Sequence, residues 1–152
     1  MYKHILAALD GSPRAPEVLV HAAELASRVG AVLHLCRAVS VPPDVPADAW
    51  ILAGEELTAC LLDSGARELT ALVEALPTRH TPIVWGHREC RCGTPEQVIM
   101  SLADELQADL IVIGSHGFGF LDRIIGTTAA RIVNHARCSV LVVRGDASAV
   151  TR

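Results

Sequence analysis

Gly114-Ser-His-Gly117-Phe-Gly119 stands directly after the apolar run Leu110-Ile-Val-Ile113 and leads, through Gly126-Thr127-Thr128, into the helix-like stretch Ala129 to Ala136. A buried strand that ends in small residues and then opens a helix presents backbone N–H groups, and the positive end of the helix dipole, to an anion. Glycines allow the close backbone approach that such a cradle needs. The chemistry suggested is therefore phosphate or carboxylate binding. Two familiar phosphate loops do not fit. A P-loop requires Gly-Lys-Ser/Thr, and the single lysine of the chain is Lys3. The dinucleotide fingerprint follows a first strand and needs a third glycine, where this chain carries Asp122 after Gly117-Phe-Gly119.

Other constellations offer less. His87-x-x-Cys90-x-Cys92 pairs an imidazole with two thiols, a set that suits zinc, but a fourth ligand is not evident beyond His80. Two cysteines separated by one residue equally suit packing on one face of a strand. No carboxylate pair and no nucleophile–base pair is visible, so neither a catalytic residue nor a metal ligand is assigned, and fast phosphoryl transfer lacks its usual parts.

The elements that must position the glycine segment alternate strand and helix. Residues 3–9 read as a strand, followed by Asp10-Gly11-Ser12-Pro13, in which Ser12 caps the next helix and Pro13 occupies its first turn. Val18, Ala22, Leu25 and Val29 recur at helical spacing and Gly30 closes that helix. Residues 31–39 form the second strand. The proline-rich stretch 41–46 is a long connection of the functional or mobile kind. A helix over about 52–75 follows, with Leu62, Ala66, Leu69, Val73 and Leu76 on one face. Thr81 to Trp85 is a weaker third strand that extends toward Cys92. Thr94-Pro-Glu-Gln97 is a capping box opening a helix striped by Val98, Leu102 and Leu106. Residues 110–113, 127–135 and 139–143 read as strand, helix and strand.

Five βα units with near-continuous apolar strands imply an α/β fold, a parallel, open, twisted Rossmann-like sheet with helices on both faces. In the order 3-2-1-4-5, the winding reverses between strands one and four, and ligands bind beyond the carboxyl ends at such a reversal. The turns meeting there are Asp10-Gly-Ser12 and Gly114-Ser-His-Gly117. Their convergence on one crevice is the main argument from the residues for a binding site. Asp10 can act there or serve only as a helix cap, and His116 can contact a ligand or only tie its own loop.

Over nearly its whole length the chain resembles the universal stress proteins. The resemblance rests on Asp10-Gly-Ser12, Gly93-Thr-Pro95, Ala108-Asp-Leu-Ile-Val-Ile-Gly-Ser-His-Gly117, Gly126-Thr127 and the ending Asn134-His-Ala-Arg-Cys-Ser-Val-Leu-Val-Val-Arg144. It implies a five-stranded α/β fold, dimeric through the last strand, here Val140, Leu141, Val142 and Val143. It also implies a regulatory ATP or ADP, with or without magnesium, in a stress response. Asp10 would hold the ribose or the adenine edge, Ala38 would line the adenine pocket, and Ile113 and Gly114 would pack on the base. His116 and Gly117 would approach ribose and phosphates, and Gly126, Thr127 and Thr128 would cradle the phosphates. ATP-binding members space the second and third glycines by nine residues, whereas eight separate Gly117 from Gly126 here. The alternative is a dimeric stress or signalling adaptor of the same fold that holds no nucleotide.

Composition narrows the setting. The 152 residues fit one domain, 1–144, with a C-terminal tail over 145–152. An apolar fraction of 51% with 3% aromatic residues makes a core of Val, Leu, Ile and Ala. The net charge of −4 argues against a nucleic-acid coat, and Trp50 and Trp85 are too few to stack single strands. No run reaches the ~18 apolar residues of a membrane span, and the N-terminus has no signal-peptide pattern, so a cytoplasmic protein is expected. Five cysteines in apolar segments are expected to be buried thiols rather than a disulfide framework.

Overall fold

The computed structural model describes residues 1–41, 46–77, 82–115 and 125–145, with the side chains of residues 47, 49, 50 and 52 excepted. Five parallel strands, β1 (His4–Ala8), β2 (Val32–Val39), β3 (Val84–Cys92), β4 (Leu110–Gly114) and β5 (Ser139–Val143), lie in the order β3-β2-β1-β4-β5. The helices are α1 (Ala15–Val29), α2 (Ala47–Glu74), α3 (Pro95–Glu105) and α4 (Thr127–His135). The expected sheet order and its reversal between β1 and β4 are those observed.

Strand alternation sorts the core into two layers. Ile5, Ala7, Leu33, Leu35, Leu110 and Val112 pack under α1 and α2, around Val18, Leu19, Ala22 and Leu69. Leu6, Cys36, Ile111 and Ile113 face the other way, onto Val98, Ile99 and Leu102 of α3 and Ala129 and Ile132 of α4. Burial of both faces explains why β1 and β4 read as unbroken apolar runs rather than alternating ones.

The ends of the elements depart from expectation in several places. Helix α1 starts at Ala15 with Arg14 as its cap residue, and Pro16 rather than Pro13 lies in its first turn. The Ser12 hydroxyl accepts from the Arg14 N–H at 3.3 Å and so shapes the turn before the helix instead of capping it. Gly30, at φ 70°, closes α1 through an N–H to the Ala26 carbonyl, as read from the sequence. Helix α2 begins at Ala47, five residues earlier than expected, where Ala47 and Ala49 favour helix and Asp48 stands at its positive end. Its buried stripe also differs. Ala66 is exposed, and Gly65 takes the buried position, where a Cβ would lie 2.4 Å from the Cys90 Sγ. Glycine carries no apolar signal, so periodicity misses it. Strand β3 spans Val84–Cys92, and Thr81 lies outside the described residues. As the sheet edge it tolerates a charged sequence, with Arg91 bridging Glu89 and Glu105. On α3, Thr94 Oγ1 accepts from the Gln97 N–H as the capping box predicts.

A bulge separates β2 from a regular ladder with β3. Leu33 pairs with Trp85 and Leu35 with Arg88, so Gly86 and His87 together stand opposite His34. His34 is only 4% exposed. Its Nδ1 accepts from the His87 backbone N–H at 3.0 Å, and its Nε2 lies 3.2 Å from His4 Nδ1. An accepting Nδ1 in a neutral ring puts the proton on Nε2, which then donates to His4. Burial first, then the neighbouring His4 and His87, pushes the His34 pKa below its usual value. The three rings stack across β1, β2 and β3.

The cysteines are all free, but only Cys36 is fully buried. Cys60 on the outer side of α2 and Cys92 at the end of the edge strand are exposed, against the expectation of five buried thiols.

Candidate functional site

Beyond the carboxyl ends of β1 and β4 the chain leaves a cavity of about 430 Å³. Two turns build it. On the β1 side, Asp10 Oδ1 accepts from the Ser12 N–H at 3.0 Å, an Asx turn that swings the chain into α1. Leu9 N–H reaches back to the Cys36 carbonyl at 2.9 Å, which ties this turn to β2. On the β4 side, Ser115 is buried and donates its N–H to the Val143 carbonyl at 2.8 Å. The Ser115 carbonyl in turn accepts from the Gly126 N–H at 2.7 Å. That bond clamps the two ends of the intervening segment and sets the first turn of α4 over the cavity.

Of the nine residues proposed from the sequence, Asp10, Ala38, Ile113, Gly114, Gly126, Thr127 and Thr128 all line this cavity. His116 and Gly117 lie outside the described residues, as do Gly119 and Arg123. Residues separated by more than 100 positions in sequence thus share one wall-to-wall space. Helix α4 starts at Thr127 with Gly126 as its cap residue and no side-chain cap, and Gly126 and the exposed Thr127 and Thr128 line the cavity, so the uncapped end of the helix lies at the cavity wall. The floor is apolar, made by Leu9, Cys36, Ile113 and Ile132. An apolar floor with the start of α4 at one wall suits a ligand that joins an apolar ring to an anion.

Among the lining residues that sequence reasoning did not propose are Cys36, Ser115 and Arg14. Cys36 is two residues before Ala38 on the same strand face, so period-two reading from Ala38 would have found it. Its thiol is pushed up to about 12, chiefly by burial, and it acts as wall. Ser115 and Arg14 also line the space. Arg14 had no sequence signal beyond its place in the Asp10 turn. The electrostatics of the described lining come from Asp10, Arg14 and the start of α4.

Outside the cavity, His87, Cys90 and Cys92 do not gather around a point. His87 stacks on His34, while Cys90 packs beneath α2 beside Gly65. Among the described residues no group of three His, Cys, Asp or Glu side chains is placed to hold a metal ion.

The arrangement has counterparts. The model of the universal stress protein family matches residues 1–144. Universal stress protein A homolog 1 of Coxiella burnetii is 35% identical over 142 residues, covering 93% of this chain and 96% of its own. Among solved structures, the universal stress protein UspA of Lactobacillus plantarum superposes with a TM-score of 0.78 at 26% identity, over 94% of this chain and 98% of that one. A universal stress protein in complex with cAMP reaches 0.66 at 22% identity, over 95% of this chain and 99% of that one. The Archaeoglobus fulgidus protein in complex with dAMP reaches 0.55 at 22%, over 94% and 98%. At that identity these two establish a shared fold. With the family model running from the first strand to the last and a relative aligned nearly end to end, the chain belongs to the universal stress protein family.

Proposed function

We propose that this protein binds an adenine nucleotide, ATP or ADP, as a regulatory ligand in the cavity between β1 and β4. The observation that carries the reading is the meeting of the Asp10 turn with Gly114 and Gly126–Thr128 in one space of about 430 Å³, within the range of small-molecule sites. Ala38, Ile113 and the surrounding apolar floor receive the base. Asp10 holds the ribose or adenine edge, His116 and Gly117 approach ribose and phosphates, and the start of α4 takes the phosphates. Relatives of the same fold solved with cAMP and dAMP support an adenine ligand. The working unit is a homodimer paired through β5, an edge strand whose Leu141 is 37% exposed. It serves a cytoplasmic stress response as a single domain over residues 1–144. Ligand occupancy biases the dimer or a partner surface.

One observation favours the adaptor reading instead. The glycine interval is eight residues, one short of the ATP-binding pattern, and its ends are already clamped by the Gly126 to Ser115 bond. Two measurements separate the readings. Mass spectrometry of freshly purified, denatured protein is expected to release adenine nucleotide. Calorimetry with ATP, with and without magnesium, is expected to show binding that Asp10→Ala weakens. No released nucleotide, together with no heat and no thermal shift at millimolar ATP, would leave the adaptor standing.

A further inference from the structure

We infer that Arg37 is a positioning residue for the ligand cavity: from the opposite face of β2 it backs the Asp10-Gly11-Ser12 turn and so fixes how Asp10 meets the ribose or adenine edge. The inference rests on the nucleotide reading above and deepens it.

Alternation along β2 sends Cys36 and Ala38 to the cavity and Arg37 to the other side of the sheet, under α2. There its Cδ lies 3.4 Å from the place a Gly65 Cβ would take, and its Nη1 pairs with Glu68 Oε2. The side chain is only 14% exposed. Its Nε is buried and has no hydrogen-bond partner. Such a group is a poor device for stability. Desolvating a guanidinium and leaving one donor unmet offsets the gain from a single ion pair with an exposed carboxylate.

The far end of the side chain meets the cavity turn. A Cβ at Gly11 would stand 2.8 Å from Arg37 Nη2 and 3.5 Å from its Cζ and Nη1, so the guanidinium lies against the Gly11 backbone. Only glycine permits so close an approach here. Asp10 and Ser12, the neighbours of Gly11, both line the cavity, and Gly11 does not. The bond from the Ser12 N–H to Asp10 Oδ1 closes the turn around Gly11. The bond from the Leu9 N–H to the Cys36 carbonyl anchors the turn to the strand that carries Arg37.

The turn is thus held by its own hydrogen bonds and, at Gly11, by a guanidinium that Glu68 keeps in place. Displacing that head group lets Gly11 move, and the Asp10 carboxylate moves with it. Arg37 is not among the residues that line the cavity, so it acts on a ligand through the turn and not by touching it.

The test measures ATP and adenosine by calorimetry, with a thermal melt, on wild-type protein, Arg37→Met, Glu68→Gln, Gly11→Ala and the Gly11→Ala/Arg37→Met double variant. Arg67→Gln, on the exposed side of α2, is the charge control. Arg37→Met is expected to weaken ATP and adenosine equally, by about fivefold, because Asp10 serves the part the two ligands share. Its melting temperature should hold or rise. Glu68→Gln should cause a smaller loss of the same kind. Gly11→Ala should weaken both ligands, and its loss should not add to that of Arg37→Met in the double variant. Arg67→Gln should match wild type. A loss confined to ATP would mean that the charge acts on the phosphates, and would overturn the inference. Additive losses, or unchanged affinity in Arg37→Met, would overturn it while leaving the nucleotide reading intact. Should Arg37→Met fail to fold, unchanged affinity in both Glu68→Gln and Gly11→Ala would overturn it in the same way. Wild-type protein that binds neither ligand overturns that reading and this one together.

Discussion

Acid should weaken this fold through one buried ring. His34 is neutral in the bulge, where Nδ1 takes the His87 N–H at 3.0 Å and Nε2 faces His4. Protonating it would set an N–H against the His87 N–H and strand a charge beneath the sheet. The folded-state pKa is accordingly lowered, so below about pH 6.5 the unfolded chain binds a proton that the folded chain refuses. Stability then falls as pH falls, beginning near the unfolded value and levelling off once pH is below the folded one. The slope cannot exceed about 1.4 kcal/mol per pH unit for this one proton.

The perturbation that isolates the effect is His34→Asn, whose amide oxygen can replace Nδ1 but does not titrate. It should cost about 1–2 kcal/mol at pH 7.5 through the lost contact with His4 and lost volume. It should also remove the His34 share of the acid slope. Urea midpoints followed by circular dichroism from pH 7.5 to 5 would measure both. His4, His87, Glu89 beside His87 and Asp109 beside the His4 N–H are the charged and titratable groups around the ring, and all are present in both wild type and variant. Parallel pH profiles for the two proteins would refute the reasoning.

Three further outcomes follow from close contacts. Gly86→Ala would put a Cβ 2.4 Å from His34 Nδ1 and 2.8 Å from Val32 Cγ1, and should destabilise by about 1–3 kcal/mol in the same urea assay. Gly65→Ala meets the Cys90 Sγ at 2.4 Å, so the strain should exceed the roughly 1 kcal/mol gained in helix propensity; adding Cys90→Ala should restore stability, a non-additivity read from a double-mutant cycle. At pH 8 a small alkylating reagent should label the exposed Cys60 and Cys92 in native protein, and Cys36 only after unfolding, because that thiol is buried and pushed up to about 12. Peptide mapping reads the order of labelling.

The parts of the fold legible in advance are those with a local physical cause. Helix α4 and β5 were read with their observed bounds because each is a short run of one periodicity between clear breakers. That the winding reverses once follows from right-handed crossovers and the need to cover both faces, and the order 3-2-1-4-5, taken as a condition, puts the reversal between β1 and β4 as observed. Gly65 and the bulge opposite His34 depend on what a neighbouring element presents, and no window of sequence contains that neighbour, whereas Ser12 departs locally, its hydroxyl taking the N–H of Arg14 two residues on. The exposed Cys60 and Cys92 show the same limit, since an apolar residue type does not say which way its element faces.

For the site, the sequence by itself determined the ingredients: a turn with a carboxylate after β1, small residues after β4, and a helix opening at Gly126. These are properties of backbone freedom and side-chain chemistry, which a residue carries wherever it is placed. Only the tertiary structure decided that seven of the nine chosen residues share one cavity, that Cys36 forms its wall as an inert thiol, and that Arg14 belongs to it. Proximity between β1 and β4 comes from the reversal in winding, a property of the whole sheet. The contact of Arg37 with the turn at Gly11 comes from packing, which exists only once the chain is closed.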